Sequence, residues 1–286
     1  MPPHATERVA DARAADLHLH TTASDGRLPP GEVVRTMARL GFAAVAIADH
    51  DEVSGIPEAL EAGRACGVEI VPAVELSTTV NDKEVHILGY HMDWQAPALH
   101  EVLTACRDHR DRRMVAMVQK LDELGVPVDL ARVQELAGDG AIGRPHLARA
   151  LVEAGHVQSV DQAFDHYLAT GRPAYAEKWK LSPAEACALI RRIGGVPVLA
   201  HPMLLKDDTL IPPLIEQGVL GIEAYCSFAP IEKTQHYIRM AEAAGLLVTG
   251  GSDCHQIPDK ILMGRVRLPY ERVEALRARW QALAHP

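Results

Sequence analysis

Three segments of the chain decide its fold and its chemistry, namely Asp16-Leu-His-Leu-His20, Ala48-Asp-His-Asp51 and Gly251-Ser-Asp-Cys-His255. Each combines an apolar run with imidazole and carboxylate side chains at its end. A buried strand that presents such groups at its end is typical of a metal site at the mouth of an α/β barrel. In His18-x-His20, the two-residue period of a strand places both rings on one face, where they can bind one ion.

Apolar, strand-like runs alternate with helical patterns along most of the chain. One helix is expected from Pro29-Pro30 to Gly41, and Ser182-Pro-Ala-Glu185 is a capping box that predicts the start of another. This alternation favours an α/β barrel, with seven strands instead of the usual eight. The expected strands lie at about 15–20, 43–48, 68–76, 84–90, 196–200, 219–225 and 246–250.

The long segment between Tyr90 and Val196 breaks this alternation, because it shows helical periodicity and no convincing strand. We interpret residues 97–181 as a helical insertion that caps the active site. It interrupts a barrel domain of residues 15–286, and residues 1–14 are expected to form a flexible extension.

Composition excludes several classes of protein. The 286 residues carry a net charge of −9, which argues against an extended nucleic-acid surface. The five cysteines form no C-x-x-C pair, and their number is odd, which is typical of a reducing compartment. No apolar run is long enough to span a membrane, and no signal peptide is recognisable. These features predict a cytoplasmic protein without a membrane partner.

Nine side chains near the ends of the apolar runs are candidate metal ligands. Burying so many such groups together is costly unless cations compensate them. Nine ligands exceed the need of one ion, so we expect two or three divalent ions. Imidazole and carboxylate ligands without thiolate suit Mn²⁺ best here, with Fe²⁺ and Zn²⁺ as alternatives, and Cys254 is expected on the opposite strand face. The candidates are His18, His20, Asp25, His50, Glu75, His86, His201, Asp253 and His255.

At these positions the chain resembles the PHP family, the polymerase and histidinol phosphatase superfamily. Further matching pieces are Thr22-Ala-Ser-Asp-Gly26, Val74-Glu75, Val85-His-Ile-Leu-Gly89 and Ala200-His-Pro202. The resemblance implies a distorted (β/α)₇ barrel and phosphoester hydrolysis at a centre of two or three metal ions. It also carries the ligand roles over to the nine positions one by one.

The helical insertion is similar to that of the branch that hydrolyses small nucleotide phosphates, including nucleoside 3′,5′-bisphosphates and RNA 5′ ends. That branch often has Gly-Arg after the His-Pro pair, whereas Met203-Leu204 follows Pro202 here. If that arginine binds a substrate phosphate in the branch, this chain must bind the phosphate with other cations or act on a different substrate. Arg144 stands beside an expected helix N-terminus, which favours anions, and the further candidates are Arg172 and Lys178.

The arginines of residues 107–113 alternate with aspartates and are interpreted as a salt-bridged helix face. The expected reaction is hydrolysis of phosphate monoesters of nucleotides, or of small cyclic esters or diesters. A metal-bridged hydroxide would attack phosphorus. The candidate catalytic residues are Asp253, His201 and His255, and either histidine could protonate the leaving group. The expected substrate is a small phosphorylated molecule, preferably a nucleotide.

Two alternative functions remain open from the sequence, a histidinol-phosphate-type or other small-metabolite phosphatase and a non-catalytic metal-binding module. An amidohydrolase is less favoured, because no Lys stands at a strand end to bridge two ions.

Overall fold

A single mixed sheet of eight strands curves into a nearly closed barrel in the computed structural model, which describes residues 13–81, 83–138, 142–176, 181–256 and 263–284. The strand order is β7-β6-β5-β4-β3-β2-β1-β8. The strands agree closely with the seven apolar runs and add one short strand. They are β1 (Ala14–Leu19), β2 (Phe42–Ile47), β3 (Glu69–Val80), β4 (Lys83–Tyr90), β5 (Val196–Leu199), β6 (Gly221–Cys226), β7 (Leu247–Gly251) and β8 (Leu268–Pro269).

The direction of the strands departs from an all-parallel barrel at two places. β4 runs antiparallel to both β3 and β5, and Val80 pairs with Lys83 at the hairpin turn between β3 and β4. β8 pairs antiparallel with β1 and was not predicted, because two residues give no periodic signal. The antiparallel β4 matters for the site, because its first residues lie where the parallel strands end.

The barrel is closed where β1 approaches β7 without a regular ladder. A bridge joins Leu19 to Cys254, and the Asp253 N–H donates to the carbonyl of His18 at 2.9 Å. A Cβ on Gly251 would lie 2.2 Å from the Cβ of His18. Only glycine permits this approach, so the seam brings two of the sequence motifs together.

Small side chains fill the barrel interior. Ala15, Ala44, Ala46 and Ala73 are buried there and leave room for Tyr90. The hydroxyl of Tyr90 donates a hydrogen bond to the carbonyl of Leu17 at 2.9 Å. The interior of the barrel is therefore mostly aliphatic, and Tyr90 lies inside it.

Helices cover the outside of the barrel and one of its ends. The last helix supplies Tyr270, Val273 and Leu276 to the interior cluster and closes the end away from the site. The outer helices are α1 (Pro30–Arg39), α2 (Ile56–Cys66), α7 (Pro183–Arg192), α8 (Ile211–Glu216), α9 (Ile231–Ala243) and α10 (Tyr270–Ala284). The capping box of Ser182 and Glu185 is present at the start of α7, as predicted.

The helices expected between β4 and β5 are present and share an apolar cluster of their own, which includes Met117, Leu147 and Leu151. They are α3 (Pro97–Glu123), α4 (Leu130–Ala137), α5 (Arg144–Glu153) and α6 (Val160–Ala163), which continues into a π-helical turn at Phe164–Leu168. Within the described ranges, no helix has the length and hydropathy of a membrane span. Of the expected extension, residues 1–12 lie outside the described residues, and Ala14 already belongs to β1.

Replacing Tyr90 with Phe tests the contribution of the buried hydroxyl. We expect Tyr90→Phe to lower the free energy of unfolding by about 1 kcal/mol, because the Leu17 carbonyl loses its partner inside the barrel. Urea unfolding with an unchanged m-value measures this loss. Tyr167→Phe, at a half-buried position of the helical segment, is the matched control. Equal stability of Tyr90→Phe and the wild type would contradict the role of this hydrogen bond.

Candidate metal centre

All nine candidate ligands lie in one cluster at the end of the barrel where the parallel strands finish. β4 contributes through its first half, because it runs in the opposite direction. Glu75 was expected to end its strand, but β3 continues to Val80, so Glu75 stands at mid-strand. The positions are His18 in β1, His20 and Asp25 after β1, His50 after β2, Glu75 in β3, His86 in β4, His201 after β5, and Asp253 and His255 after β7.

The carboxylate of Glu75 is the centre of the cluster. It is fully buried, and five imidazoles surround it. Oε2 lies 2.8 Å from Nδ1 of His50, 3.3 Å from Nε2 of His18 and 3.4 Å from Nε2 of His20. Oε1 lies 2.8 Å from Nδ1 of His86 and 2.9 Å from Nε2 of His201. One side chain thus connects imidazoles from four strands or the loops that follow them.

Two aspartates complete the opposite side of the cluster. Asp253 Oδ1 lies 3.1 Å from Nε2 of His20 and 3.7 Å from Nδ1 of His255. Asp25 Oδ1 lies 3.2 Å from Nε2 of His255. The rings of His20 and His255 stack with their centroids 4.0 Å apart. The carboxylates therefore alternate with imidazoles throughout the site.

The backbone is strained where two ligands follow their strands. His201 has φ of 25° and Asp253 has φ of 54°, in a region that non-glycine residues rarely adopt. Such conformations cost about 1–3 kcal/mol each and persist only where the surrounding structure enforces them. Here they turn the side chains back over the barrel mouth.

Several buried ligand atoms lie close to other ligands but form no hydrogen bond of acceptable geometry with the described residues. They include Nε2 of His18, both ring nitrogens of His20, Nδ1 of His50 and Oε2 of Glu75. Buried polar atoms are normally satisfied, and leaving several unsatisfied in one place is costly. Divalent cations would satisfy these lone pairs together, so the donor set fits metal ions. Three groups have ligand atoms all within 4.8 Å of one another, namely His20-Asp25-His50-His255, His18-His20-Asp253 and His50-Glu75-His86.

The imidazoles of the cluster differ in the direction in which their surroundings shift their pKa. Burial and the adjacent His255 and His50 lower the pKa of His20 to about 3. Burial also opposes a charge on His86, but the Glu75 and Glu84 carboxylates outweigh it and raise the pKa of His86 to about 10. Burial opposes ionisation of Glu75 too, yet the surrounding imidazoles hold the pKa of its carboxyl well below the usual range. The carboxylates therefore stay ionised and favour cations.

Sequence reasoning missed a second layer of buried acids around the ligands. Glu223 in β6 accepts from Nδ1 of His18 at 3.0 Å and from the backbone N–H of His201 at 2.8 Å. Asp16 accepts from the N–H of Ser252 at 2.9 Å and so ties β1 to the loop after β7. A charged residue inside an otherwise apolar strand was the available signal for both acids.

A pocket of about 190 Å³ opens beside the cluster and is lined on its far side by arginines. Arg110 and Arg113 reach it from α3, and Arg144 reaches it from the start of α5. Arg144 pairs with Glu84 at 3.1 Å, and its guanidinium lies 5.6 Å from the ring centroid of Phe164. The pocket therefore joins the ligand cluster to three cationic side chains.

Residues 107–113 were predicted to form salt bridges with one another along one helix face. This prediction is wrong for three of the arginines, which contact other parts of the chain. Arg110 pairs with Asp51 and Arg107 pairs with Glu52 at 2.7 Å, both beyond β2. The Arg113 Nε–H donates to the carbonyl of Ala176 at 2.7 Å. An alternating charge pattern does not reveal which helix face is buried, so the sequence could not assign these contacts.

The remaining candidate residues lie elsewhere. Arg172 is exposed in a turn and does not line the pocket. Lys178 lies outside the described residues. Cys254 is buried in an apolar cluster between β1 and the outer helices, on the face expected from the strand period.

Comparison with known proteins gives concordant matches over most of the chain. A family model described as PHP domain matches residues 16–170. The chain is 33% identical over 274 residues to the 5′-3′ exoribonuclease Rnm of Escherichia coli (strain K12), covering 93% of each. It is 32% identical over 246 residues to the 3′,5′-nucleoside bisphosphate phosphatase of Chromobacterium violaceum, covering 84% of this chain and 86% of that protein.

A solved structure is similar over nearly the whole fold. The crystal structure of a Bifidobacterium adolescentis protein assigned as a metal-dependent phosphoesterase superimposes with a TM-score of 0.86 at 30% identity. The match covers 94% of this chain and 97% of that chain.

Replacing Asp253 tests whether the cluster holds metal ions. We expect Asp253→Asn to lose at least one ion per chain, because its carboxylate lies between the imidazoles of His18 and His20. Elemental analysis after loading with Mn²⁺ measures the ion content. Chelator should lower the Tm of the wild type by more than that of the variant, since bound ions stabilise the folded state.

Asp207→Asn is the matched control for this experiment, because Asp207 bonds Lys83 and Thr209 at the surface. An ion content of Asp253→Asn equal to that of the wild type would show that Asp253 is not a ligand.

Proposed function

The chain belongs to the PHP domain family, and we propose that it is a metal-dependent phosphoesterase that hydrolyses phosphate monoesters of nucleotides. The observation that carries this proposal is the juxtaposition of a buried imidazole–carboxylate cluster with a pocket lined by three arginines. The cluster suits divalent cations, and the arginines suit phosphate oxygens. Few other chemistries need both within one cavity.

Nine side chains would hold two or three ions in this proposal. Mixed imidazole and carboxylate ligands suit Mn²⁺, Fe²⁺ and Zn²⁺, and manganese is the ion that we propose first. When bound, such ions supply an activated water as the nucleophile and neutralise charge on the phosphate oxygens. The proposed ligands are His18, His20, Asp25, His50, Glu75, His86, His201, Asp253 and His255.

The chain's own residues orient the ligands and the substrate. Glu223 fixes the ring of His18 through Nδ1, which leaves Nε2 directed toward Glu75 and Asp253. Arg113 and Arg144 face the cluster from the opposite wall and would bind the oxygens of a substrate phosphate. A substrate with two phosphates would place one at the ligand cluster and the other against these arginines, which would compensate its negative charge.

The leaving alkoxide needs a proton, and two histidines are the proposed donors. The side chain of His255 is 19% exposed, against 9% for His201, so His255 has the better access to a substrate. Its Nε2 faces Asp25 at 3.2 Å, and this contact, together with Asp253, raises the pKa of His255 to about 9 although burial opposes it. A ring nitrogen that binds a metal ion cannot also carry this proton. Each ring nitrogen can therefore either bind metal or donate the proton, but not both.

The helical segment at residues 97–181 would act as a cap over the site. It supplies Arg110, Arg113, Arg144 and Phe164 to the pocket wall. Its ion pairs from Arg110 to Asp51 and from Arg144 to Glu84 join the helices to the barrel beside the ligands. Phe164 offers an aromatic face on which a nucleobase could stack.

The activity is tested with three substrates on the Mn²⁺-loaded protein. We expect adenosine 3′,5′-bisphosphate to give at least about tenfold higher kcat/KM than histidinol phosphate or p-nitrophenyl phosphate, because only the first can use both the cluster and the arginines. Released phosphate is the measurement. Asp253→Asn and His18→Ala should each retain less than about a tenth of kcat, a barrier increase above roughly 1.4 kcal/mol.

The alternatives make different predictions in the same assay. A preference for histidinol phosphate would identify a small-metabolite phosphatase, and no release from any substrate would favour a non-catalytic module. Full activity with one ion or fewer per chain would contradict a centre of several ions.

Replacing Arg144 tests the phosphate contact of the cap. We expect Arg144→Ala to raise KM for the bisphosphate about tenfold with little change in kcat, since a contact remote from the reacting group acts equally on ground and transition states. Hydrolysis of p-nitrophenyl phosphate, which has one phosphate, should be spared. Arg112→Ala, an exposed position on α3, is the control. Equal damage to both substrates would instead place Arg144 at the reacting phosphate, and no damage to either would remove it from the site.

A further inference from the structure

Glu84 places a carboxylate in the wall of the arginine-lined pocket, and this carboxylate has no part in the proposed reaction. It stands in the first half of β4, two residues before the ligand His86 and on the same strand face. Its Oε2 lies 3.1 Å from Nη2 of Arg144, and its Oε1 lies 3.3 Å from Nε2 of His86. Glu84 therefore spans the gap between the ligand cluster and an arginine that is proposed to bind a substrate phosphate.

The other two arginines of the pocket have their partners elsewhere. Arg110 pairs with Asp51, and Arg113 donates to the carbonyl of Ala176. Neither Asp51 nor Ala176 is among the described residues that line the pocket. Of the three arginines, Arg144 is thus the one whose partner stands in the pocket itself, where a second phosphate would lie.

The pair of Glu84 with Arg144 is exposed enough to open. The Glu84 side chain is 38% exposed and the Arg144 side chain is 20% exposed. Exposed ion pairs are weak, because water screens them and both side chains lose freedom. A phosphate monoester carries more negative charge than a carboxylate, and its oxygens match the planar guanidinium in a bidentate manner. Such a phosphate can therefore replace the carboxylate, and repulsion between the two anions prevents them from sharing Arg144.

We propose that Glu84 is a specificity-determining residue that competes with the second phosphate of a substrate for Arg144. The inference rests on the proposed phosphoesterase function. In the free protein the carboxylate holds Arg144 toward the barrel, and a substrate with a second phosphate displaces the carboxylate into solvent. A substrate with one phosphate leaves the pair closed. Glu84 therefore weakens the binding of doubly phosphorylated substrates and favours release of a product that keeps its phosphate at Arg144.

The test removes the charge of Glu84 and keeps the shape of its side chain. We expect Glu84→Gln to raise the ratio of kcat/KM for adenosine 3′,5′-bisphosphate to that for p-nitrophenyl phosphate about tenfold in the Mn²⁺-loaded protein, because the amide no longer competes for the guanidinium. The ratio cancels any effect through His86 that both substrates share. Glu61→Gln, an exposed position on α2, is the matched control and should leave the ratio unchanged.

Two outcomes of this comparison overturn the proposal. An unchanged ratio for Glu84→Gln would show that the carboxylate does not oppose the second phosphate. A lowered ratio would show the opposite role, in which Glu84 positions Arg144 to receive the phosphate.

A double-mutant cycle identifies Arg144 as the group for which Glu84 competes. In the Arg144→Ala background, Glu84→Gln should change the ratio by less than about twofold, because no guanidinium remains. A rise in that background equal to the rise in the wild-type background would overturn the competition for Arg144, since Glu84 would then repel the phosphate directly.

Equilibrium binding separates this proposal from the proposed activity. Isothermal titration calorimetry of the Ca²⁺-loaded protein with adenosine 3′,5′-bisphosphate needs no turnover. We expect Glu84→Gln to bind the bisphosphate about tenfold more tightly than the wild type, even if neither protein hydrolyses it. Equal affinity, or no binding by either protein, would overturn the role assigned to Glu84.

Discussion

The carboxylate of Glu75 is the interaction on which the rest of the site depends. Five imidazoles from different strands or loops lie within 3.4 Å of its two oxygens, in a place that water does not reach. An ionised carboxylate in such a place needs positive charge around it, and neutral imidazoles need a cation to share. The antiparallel direction of β4 and the strained backbone of His201 and Asp253 are understandable as the geometry that brings these partners together.

Charge is divided between the two parts of the structure. The barrel supplies carboxylates and imidazoles, and the helical segment between β4 and β5 supplies arginines that face them. The contact of Arg110 with Asp51 joins these two sets. The net charge of −9 is therefore a poor guide to what binds at the barrel mouth, because it averages an acidic barrel with a locally basic wall.

The sequence predicted local patterns well and long-range partners poorly. The seven apolar runs and the nine polar residues near their ends were recognisable because strand burial and strand ends leave a signal within a few residues. Glu223 escaped notice because its partner His18 is 205 residues away. The side of α3 that meets the barrel was also unpredictable, since alternating arginines and aspartates fit either orientation. The short β8 has too few residues to show a periodic pattern of apolar and polar side chains.

The seam between β1 and β7 has a consequence for biosynthesis. Its partners, His18 with Asp253 and Leu19 with Cys254, are joined only when the last part of the barrel has left the ribosome. The first strand cannot pair across the seam until most of the chain has been synthesised. Such a large sequence separation slows folding and leaves strand edges unpaired in the meantime. The metal ligands come from both sides of the seam. Metal ions would therefore bind the completed barrel more tightly than its nascent fragments, and binding would occur late in folding.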